Sequence, residues 1–79
     1  MSTVFLTIDF TEQYQKAVEF LRASEYQRAE EALQKLLQDG AIDSNVLLAL
    51  GNSYYRQEEW GQAYGAYRQG LSLSPRNSD

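Results

Sequence analysis

The sequence predicts an all-α fold of two helix–turn–helix units, a fragment of an α–α superhelix, behind an extended N-terminal leader at residues 1–9. The chain aligns with itself at an offset of 34 residues, with small residues on small ones and aromatic residues on aromatic ones. Within each copy, apolar residues recur at i, i+3, i+4 and i+7, as in an amphipathic helix. Hydrophobic residues make up 43% of the 79 residues, which is typical of a small globular domain rather than of a disordered segment.

The leader differs from the rest, because Ser2–Ile8 is the most strand-like stretch of the chain. We expect it to be extended, and the alternative is a strand that pairs with another. It lacks the positive flank of a signal peptide, and no stretch of the chain approaches the roughly 18 apolar residues of a membrane helix. We therefore expect no membrane contact in this segment.

Residues 10–43 form the first predicted unit. A helix is expected over about 10–23, and Ser24 stands where it would cap a second helix over about 25–38. Gly40 then follows as a natural C′ residue, since glycine adopts a positive φ without strain. The first unit is therefore predicted to be a helical hairpin.

Residues 44–77 form the second predicted unit, and residues 78–79 are a short tail. One helix is expected over about 44–56, where a serine opens it. A further helix is expected over about 60–73, and Pro75 ends it because proline cannot continue the backbone hydrogen bonds. The second unit thus repeats the hairpin of the first.

The contact between the third and fourth helices is predicted from residue size. Gly51 and Ala63 are small, so we expect the two helices to approach each other most closely there. Large aromatic side chains would fill the space around that contact. The aromatic residues expected in the core are Tyr54, Trp60 and Tyr67.

The second unit resembles a tetratricopeptide repeat. It follows the pattern W-x2-L-G-x2-Y…A-x3-F…P from Leu47 to Pro75. Leu47 replaces Trp and Tyr67 replaces Phe, and both keep a bulky, largely apolar side chain. The first unit is a degenerate copy, with Gln13 and Lys16 where the pattern has Trp and Leu. Polar residues at these positions suit a terminal repeat that has one solvated face.

A second resemblance is carried by residues 52–56 and 60–63, which read NSYYR and WGQA. This string is similar to the repeat segment of bacterial Bat-type aerotolerance proteins. Those proteins pair such repeats with membrane segments. The resemblance implies a bacterial source and leaves the compartment open between the cytoplasm and, for a piece of an envelope protein, the periplasm.

Residue types that support catalysis or metal binding are scarce. The sequence holds no His and no Cys, which removes His-based triads, thiolate nucleophiles and the usual zinc ligands. The acidic pairs at 30–31 and 58–59 are sequence neighbours, so they diverge around a helix. Nucleic acid requires clustered Lys and Arg, whereas this chain has a formal charge of −4. We expect no enzymatic activity, no cofactor, no metal and no nucleic-acid partner.

The tetratricopeptide resemblance implies a concave groove that is lined by the first helix of each repeat. Groove positions in that family include the fifth, ninth, twelfth and thirteenth of this helix. Counted from Phe10 and Ser44, they are Tyr14, Val18, Leu21, Arg22, Leu48, Asn52, Tyr55 and Arg56. Apolar anchors, an amide and two arginines suit an extended peptide that carries a carboxylate. The alternative is that these side chains are simply solvated, because every such repeat has these positions.

Two functions follow from these expectations. The leading one is a protein–protein interaction scaffold that binds a peptide or protein partner in the groove. The alternative is a structural module that self-associates as a homodimer, with no separate ligand. Each repeat leaves apolar surface on its second helix for the next unit, and here Tyr67, Leu71 and Leu73 would be left uncovered. We therefore expect a homo-oligomer through this surface, or a further helix in the intact protein.

Overall fold

The computed structural model describes residues 10–73, and the predicted leader, Pro75 and the tail lie outside this range. Within it the chain forms four helices and no strand, which confirms the all-α prediction. Every predicted helix end agrees with the structure to within one residue. The helices are α1 Thr11–Arg22, α2 Tyr26–Gln38, α3 Ser44–Arg56 and α4 Trp60–Leu73. Each helix packs on the next along the chain, so α2 and α3 join the two hairpins into one body.

The first three helices end in the same turn, in which the residue at C′ has a positive φ. After α2 this residue is Gly40, with φ 105°, as the sequence predicts. The next N–H group, that of Ala41, donates to the carbonyl of Leu36 at 2.9 Å. The N–H of Gly40 itself donates to the carbonyl of Leu37 at 3.1 Å. This pair of bonds is the Schellman motif, which satisfies carbonyls left free at the helix end.

Ser24 does not cap α2 as expected. It has φ 62° and occupies the C′ position of α1, where its N–H donates to the carbonyl of Leu21 at 3.0 Å. The N-cap of α2 is instead Glu25, whose side chain makes no capping hydrogen bond. Glu58 takes the same left-handed conformation after α3, with φ 64°. The prediction failed because a serine suits both an N-cap and a turn, and here the two positions are adjacent.

The core is made of small and branched aliphatic side chains between the helices. Ala17, Ala29 and Leu33 are completely buried, and α4 contributes Ala63 and Ala66. Alanines at the crossing points let the helix backbones approach closely, so that leucines from neighbouring turns fill the remaining space. The core therefore runs through all four helices.

The core prediction was right for Tyr54 and wrong for Trp60. Tyr54 is buried, but Trp60 is 56% exposed. The buried face of α4 runs through Ala63, Ala66 and Gly70, and Trp60 lies about a quarter turn away from it at 100° per residue. Trp60 was assigned to the core because of its size, but its angular position on α4 places it outside the core.

Gly51 is buried at the α3–α4 contact, but the group closest to it belongs to Tyr67 rather than Ala63. A Cβ atom added to Gly51 would lie 2.6 Å from Cδ1 of the Tyr67 ring. That distance is far below a van der Waals contact, so the ring occupies the volume that a side chain would need. Gly51 is therefore required by the half-buried ring of Tyr67.

Candidate functional site

One groove of about 680 Å³ lies where α1, α3 and the start of α2 meet, with α4 at one edge. We call it the α1–α3 groove. Its lining is mixed, with aliphatic, aromatic, amide and guanidinium groups. The lining residues are Val18, Leu21, Arg22, Ser24, Tyr26, Asn52, Tyr55, Arg56 and Tyr67.

The structure brings together six of the eight residues expected in the groove, and the other two lie elsewhere. Tyr14 is half-buried and packs against the hydrophobic core. Leu48 lies against Gly70 of α4, where an added Cβ would be 2.9 Å from Cδ2 of the leucine. Both are at the fifth position of their helix, more than a turn before the ninth. The groove thus occupies the C-terminal halves of α1 and α3.

Three groove residues were not expected from the sequence. Ser24 and Tyr26 reach the groove because the turn after α1 brings the start of α2 beside it. Counting positions on first helices alone could not find them. Tyr67 belongs to a second helix and was expected both around the Gly51 contact and at the exposed end of the chain; its ring lies over Gly51, next to α3. The small residue at position 51 was the signal that could have placed it.

The groove carries two arginines that form no ion pair with a carboxylate of residues 10–73. In the part of the chain that the structure describes, the ion pairs are Arg28 with Glu25 and Lys35 with Asp39. Arg22 and Arg56 form none of these pairs, and both are exposed. The Arg56 guanidinium lies 5.9 Å from the centroid of the Tyr26 ring, a cation–π distance. The groove is therefore positive in a chain whose formal charge is −4.

Asn52 is held by Tyr67 across the groove edge. The Tyr67 hydroxyl donates to Oδ1 of Asn52 at 2.5 Å. Because the side-chain oxygen of Asn52 accepts this bond, the two N–H groups of its amide can donate to a ligand. Partial burial, and then the neighbouring Tyr55, raise the pKa of Tyr67 above its ordinary value, while Arg56 acts in the opposite direction. Tyr67 thus remains a neutral hydrogen-bond donor at physiological pH.

The comparison with known families identifies the second hairpin. Residues 44–77 match the family model of the tetratricopeptide repeat. The second hairpin is therefore similar to a tetratricopeptide repeat. The match covers less than half of the chain. Proteins with tetratricopeptide repeats generally mediate protein–protein interactions and are typically scaffolds without enzymatic activity. No curated protein and no solved structure matches the chain, so the likeness to Bat-type aerotolerance proteins is supported by no relative.

Two further features bear on function, a metal-ligand cluster and a membrane-spanning helix, and the described residues hold neither. Residues 10–73 contain no cluster of three carboxylates that could hold a metal ion. None of the four helices in this range is long and apolar enough to cross a membrane. The two hairpins together present one mixed groove that carries two arginines.

Of the three residues expected to form a self-association surface, Leu73 points away from the other two. Tyr67 lies at the α1–α3 groove, with its ring over Gly51. Leu73 is 49% exposed and lines a separate apolar cleft with Ile42. Leu71 is 57% exposed and stands about half a turn from Leu73 around the helix. Residues with a spacing of two on a helix point in divergent directions, which separates Leu73 from Leu71, whereas Tyr67 and Leu71 are four residues apart and share one face of the helix.

Proposed function

We propose that the chain is a protein–protein interaction scaffold, without catalytic activity, that holds an extended peptide in the α1–α3 groove. The observation that carries this proposal is the convergence of Arg22, Arg56 and the Asn52 amide on one groove with an apolar wall. An extended peptide has unpaired backbone carbonyls, which need donors such as the Asn52 amide. The aliphatic wall at Val18 and Leu21 would take an apolar side chain of the peptide.

The charge of the groove indicates an acidic peptide. Arginine binds carboxylates through two parallel N–H donors. Neither groove arginine forms an ion pair with a carboxylate among residues 10–73. The surrounding negative charge of the chain would repel acidic ligands elsewhere on the surface. A peptide carboxylate would therefore favour the groove over the rest of the molecule.

Binding of labelled peptides, followed by fluorescence anisotropy, tests this proposal. We expect an extended acidic peptide with one large apolar residue to bind more tightly than its Gln-substituted counterpart, and the difference to shrink as salt is added. Asn52→Ala and Arg56→Ala should each weaken binding by about fivefold to tenfold, or about 1–1.4 kcal/mol.

Arg28→Ala is the matched control, since Arg28 is an exposed arginine outside the groove that pairs with Glu25. It should bind the peptide like the parent. Equal affinity in the parent, Asn52→Ala and Arg56→Ala would contradict the groove assignment. A preference for basic peptides would contradict the proposed charge selectivity.

Self-association is the alternative function, and its expected surface would be reduced to Tyr67 and Leu71, because Leu73 points away from them. Light scattering coupled to size exclusion distinguishes the two functions. A dimer whose affinity is lowered by Leu71→Glu would support the structural module, because the charge would be buried unpaired. A monomer that binds peptide would support the scaffold.

A further inference from the structure

An uncharged aliphatic cleft opens at one end of the helix bundle. It has a volume of about 390 Å³ and lies where the end of α2, the start of α3 and the end of α4 meet. We call it the end cleft, and it shares no lining residue with the α1–α3 groove. Two of its aliphatic side chains, those of Ile42 and Leu73, are 61% and 49% exposed. The lining residues are Leu37, Ile42, Leu47, Gln69, Ser72 and Leu73.

The chain enters α1 at the same end of the bundle. Helix α1 begins where α2 finishes, because a short turn reverses the chain between them. Phe10, just before α1, and Leu37, which lines the end cleft, both pack against the core. Neighbouring helix axes are about 8–10 Å apart, and an extended chain advances up to about 3.6 Å per residue. A stretch of about four to six residues before Phe10 is therefore long enough to cross one or two helices to the cleft.

The leader has a side whose chemistry matches this cleft. In an extended segment, alternate side chains point to the same side. Val4, Leu6 and Ile8 would therefore share one side, and Phe5 and Thr7 would share the other. The first side is entirely aliphatic, and no residue of the leader before its last one has a charged side chain. An aliphatic segment of this kind is complementary to an uncharged aliphatic cleft, because their contact removes apolar surface from water.

The tail is a poorer occupant of the end cleft, although it starts next to Leu73. Residues 74–79 read SPRNSD and contain no large aliphatic side chain. Arg76 and Asp79 would lose hydration in the cleft, where no lining residue is charged. Of the two chain segments outside the described residues, the leader is therefore the one that fits.

We propose that the leader lies across this end of the bundle as an extended segment, with its aliphatic side in the end cleft. Gln69 and Ser72, which line the cleft, offer an amide and a hydroxyl to the backbone N–H and C=O groups of such a segment. The leader is then an intramolecular cap of the helical domain. The proposal goes beyond peptide binding, because it leaves the α1–α3 groove open.

Disulfide trapping tests the proposal, since the chain has no cysteine of its own. Ile42→Cys is combined in turn with cysteine at each of positions 4 to 7, and the effective concentration of each thiol pair is measured against glutathione. We expect the pairs with Val4→Cys and Leu6→Cys to exceed those with Phe5→Cys and Thr7→Cys by about tenfold, because only alternate side chains face the cleft. An unbound leader would give similar values, in the millimolar range, at every position.

Tyr64→Cys is the matched control for Ile42→Cys, because Tyr64 is similarly exposed, at 64%, and does not line the cleft. Its pairs with the same leader positions should show no alternation. Similar values at all leader positions with Ile42→Cys would overturn the proposal. So would disulfides that form mainly between chains at micromolar protein, because they would assign the cleft to the leader of a second copy.

Thermal unfolding gives a second measurement that needs no cysteine. Leu6→Asn should lower the midpoint by about 4–8 °C, whereas Phe5→Asn should change it by less than about 2 °C. In an Ile42→Asn background the loss caused by Leu6→Asn should shrink, because the contact with the cleft is already weakened. Equal losses for Leu6→Asn and Phe5→Asn, or an unchanged loss in the Ile42→Asn background, would also overturn the proposal.

Discussion

At the scale of single residues, Tyr67 links the packing of α4 to the chemistry of the groove. Its ring requires a glycine at position 51, and its hydroxyl orients Asn52. We predict that Tyr67→Phe lowers the free energy of unfolding at neutral pH by about 0.5–1 kcal/mol, because the hydrogen bond to Asn52 is lost. It should also weaken peptide binding. Urea denaturation and anisotropy measure the two effects.

Tyr67 also makes the stability of the folded chain depend on pH in the alkaline range. The pKa of Tyr67 in the folded chain lies above its ordinary value of 10.0, chiefly because of burial. The folded state therefore retains this proton more strongly than the unfolded state does. Its stabilising contribution is complete below about pH 10 and is lost as the pH rises through the folded pKa. Denaturation curves should show a smaller alkaline loss of stability in Tyr67→Phe than in Tyr64→Phe, whose altered residue is exposed on the same helix. Equal alkaline losses of stability in the two variants would contradict a raised pKa of Tyr67 in the folded chain.

At the scale of elements, the helix ends show what a sequence can and cannot specify. Gly40 was predicted at a helix end because its lack of a Cβ suits positive φ. Ser24 and Glu58 occupy equivalent turns without that signal. Their conformation is imposed by the need to close each hairpin in the same way. Likewise, periodicity located all four helices, but it could not show that Trp60 faces outward, since this depends on how α4 is rotated against α3.

The strain in the turn after α3 can be tested by replacing Glu58 with glycine. We predict that Glu58→Gly stabilises the chain by about 0.5–1 kcal/mol, because a side chain in the left-handed region crowds its own backbone. Ala23→Gly is the control, since Ala23 has φ −86° and gains nothing from glycine. It should destabilise the chain by a similar amount through the entropy of the unfolded state. Thermal melting of the two variants should therefore shift in opposite directions. A decrease for Glu58→Gly would show that its turn is unstrained.

At the scale of the whole molecule, the question is whether the two hairpins unfold together. Leu33 lies at the centre of α2, is completely buried, and belongs to the core cluster that includes Ala63 of α4. Repeat proteins unfold as units whose cooperativity depends on the interfaces between neighbours. A chain of this size has a free energy of unfolding of only about 4–12 kcal/mol, so we expect neither hairpin to be stable without the other. We therefore expect a single transition for residues 10–73.

Leu33→Ala tests this expectation because it alters the first hairpin while Trp60 reports on the second. Removing the buried leucine should cost about 2–5 kcal/mol through lost transfer energy and the remaining cavity. If the hairpins form one cooperative unit, urea midpoints from far-ultraviolet circular dichroism and from Trp60 emission will fall together and stay coincident. Gln27→Ala, an exposed position on the same helix, should leave both midpoints within about 0.5 kcal/mol of the parent. A Trp60 midpoint that stays at the parent value while the dichroism midpoint falls would mean that α3 and α4 hold their structure without α1 and α2. In that case the α1–α3 groove would be assembled only when both hairpins are folded, and peptide affinity would be lost before the Trp60 signal changed.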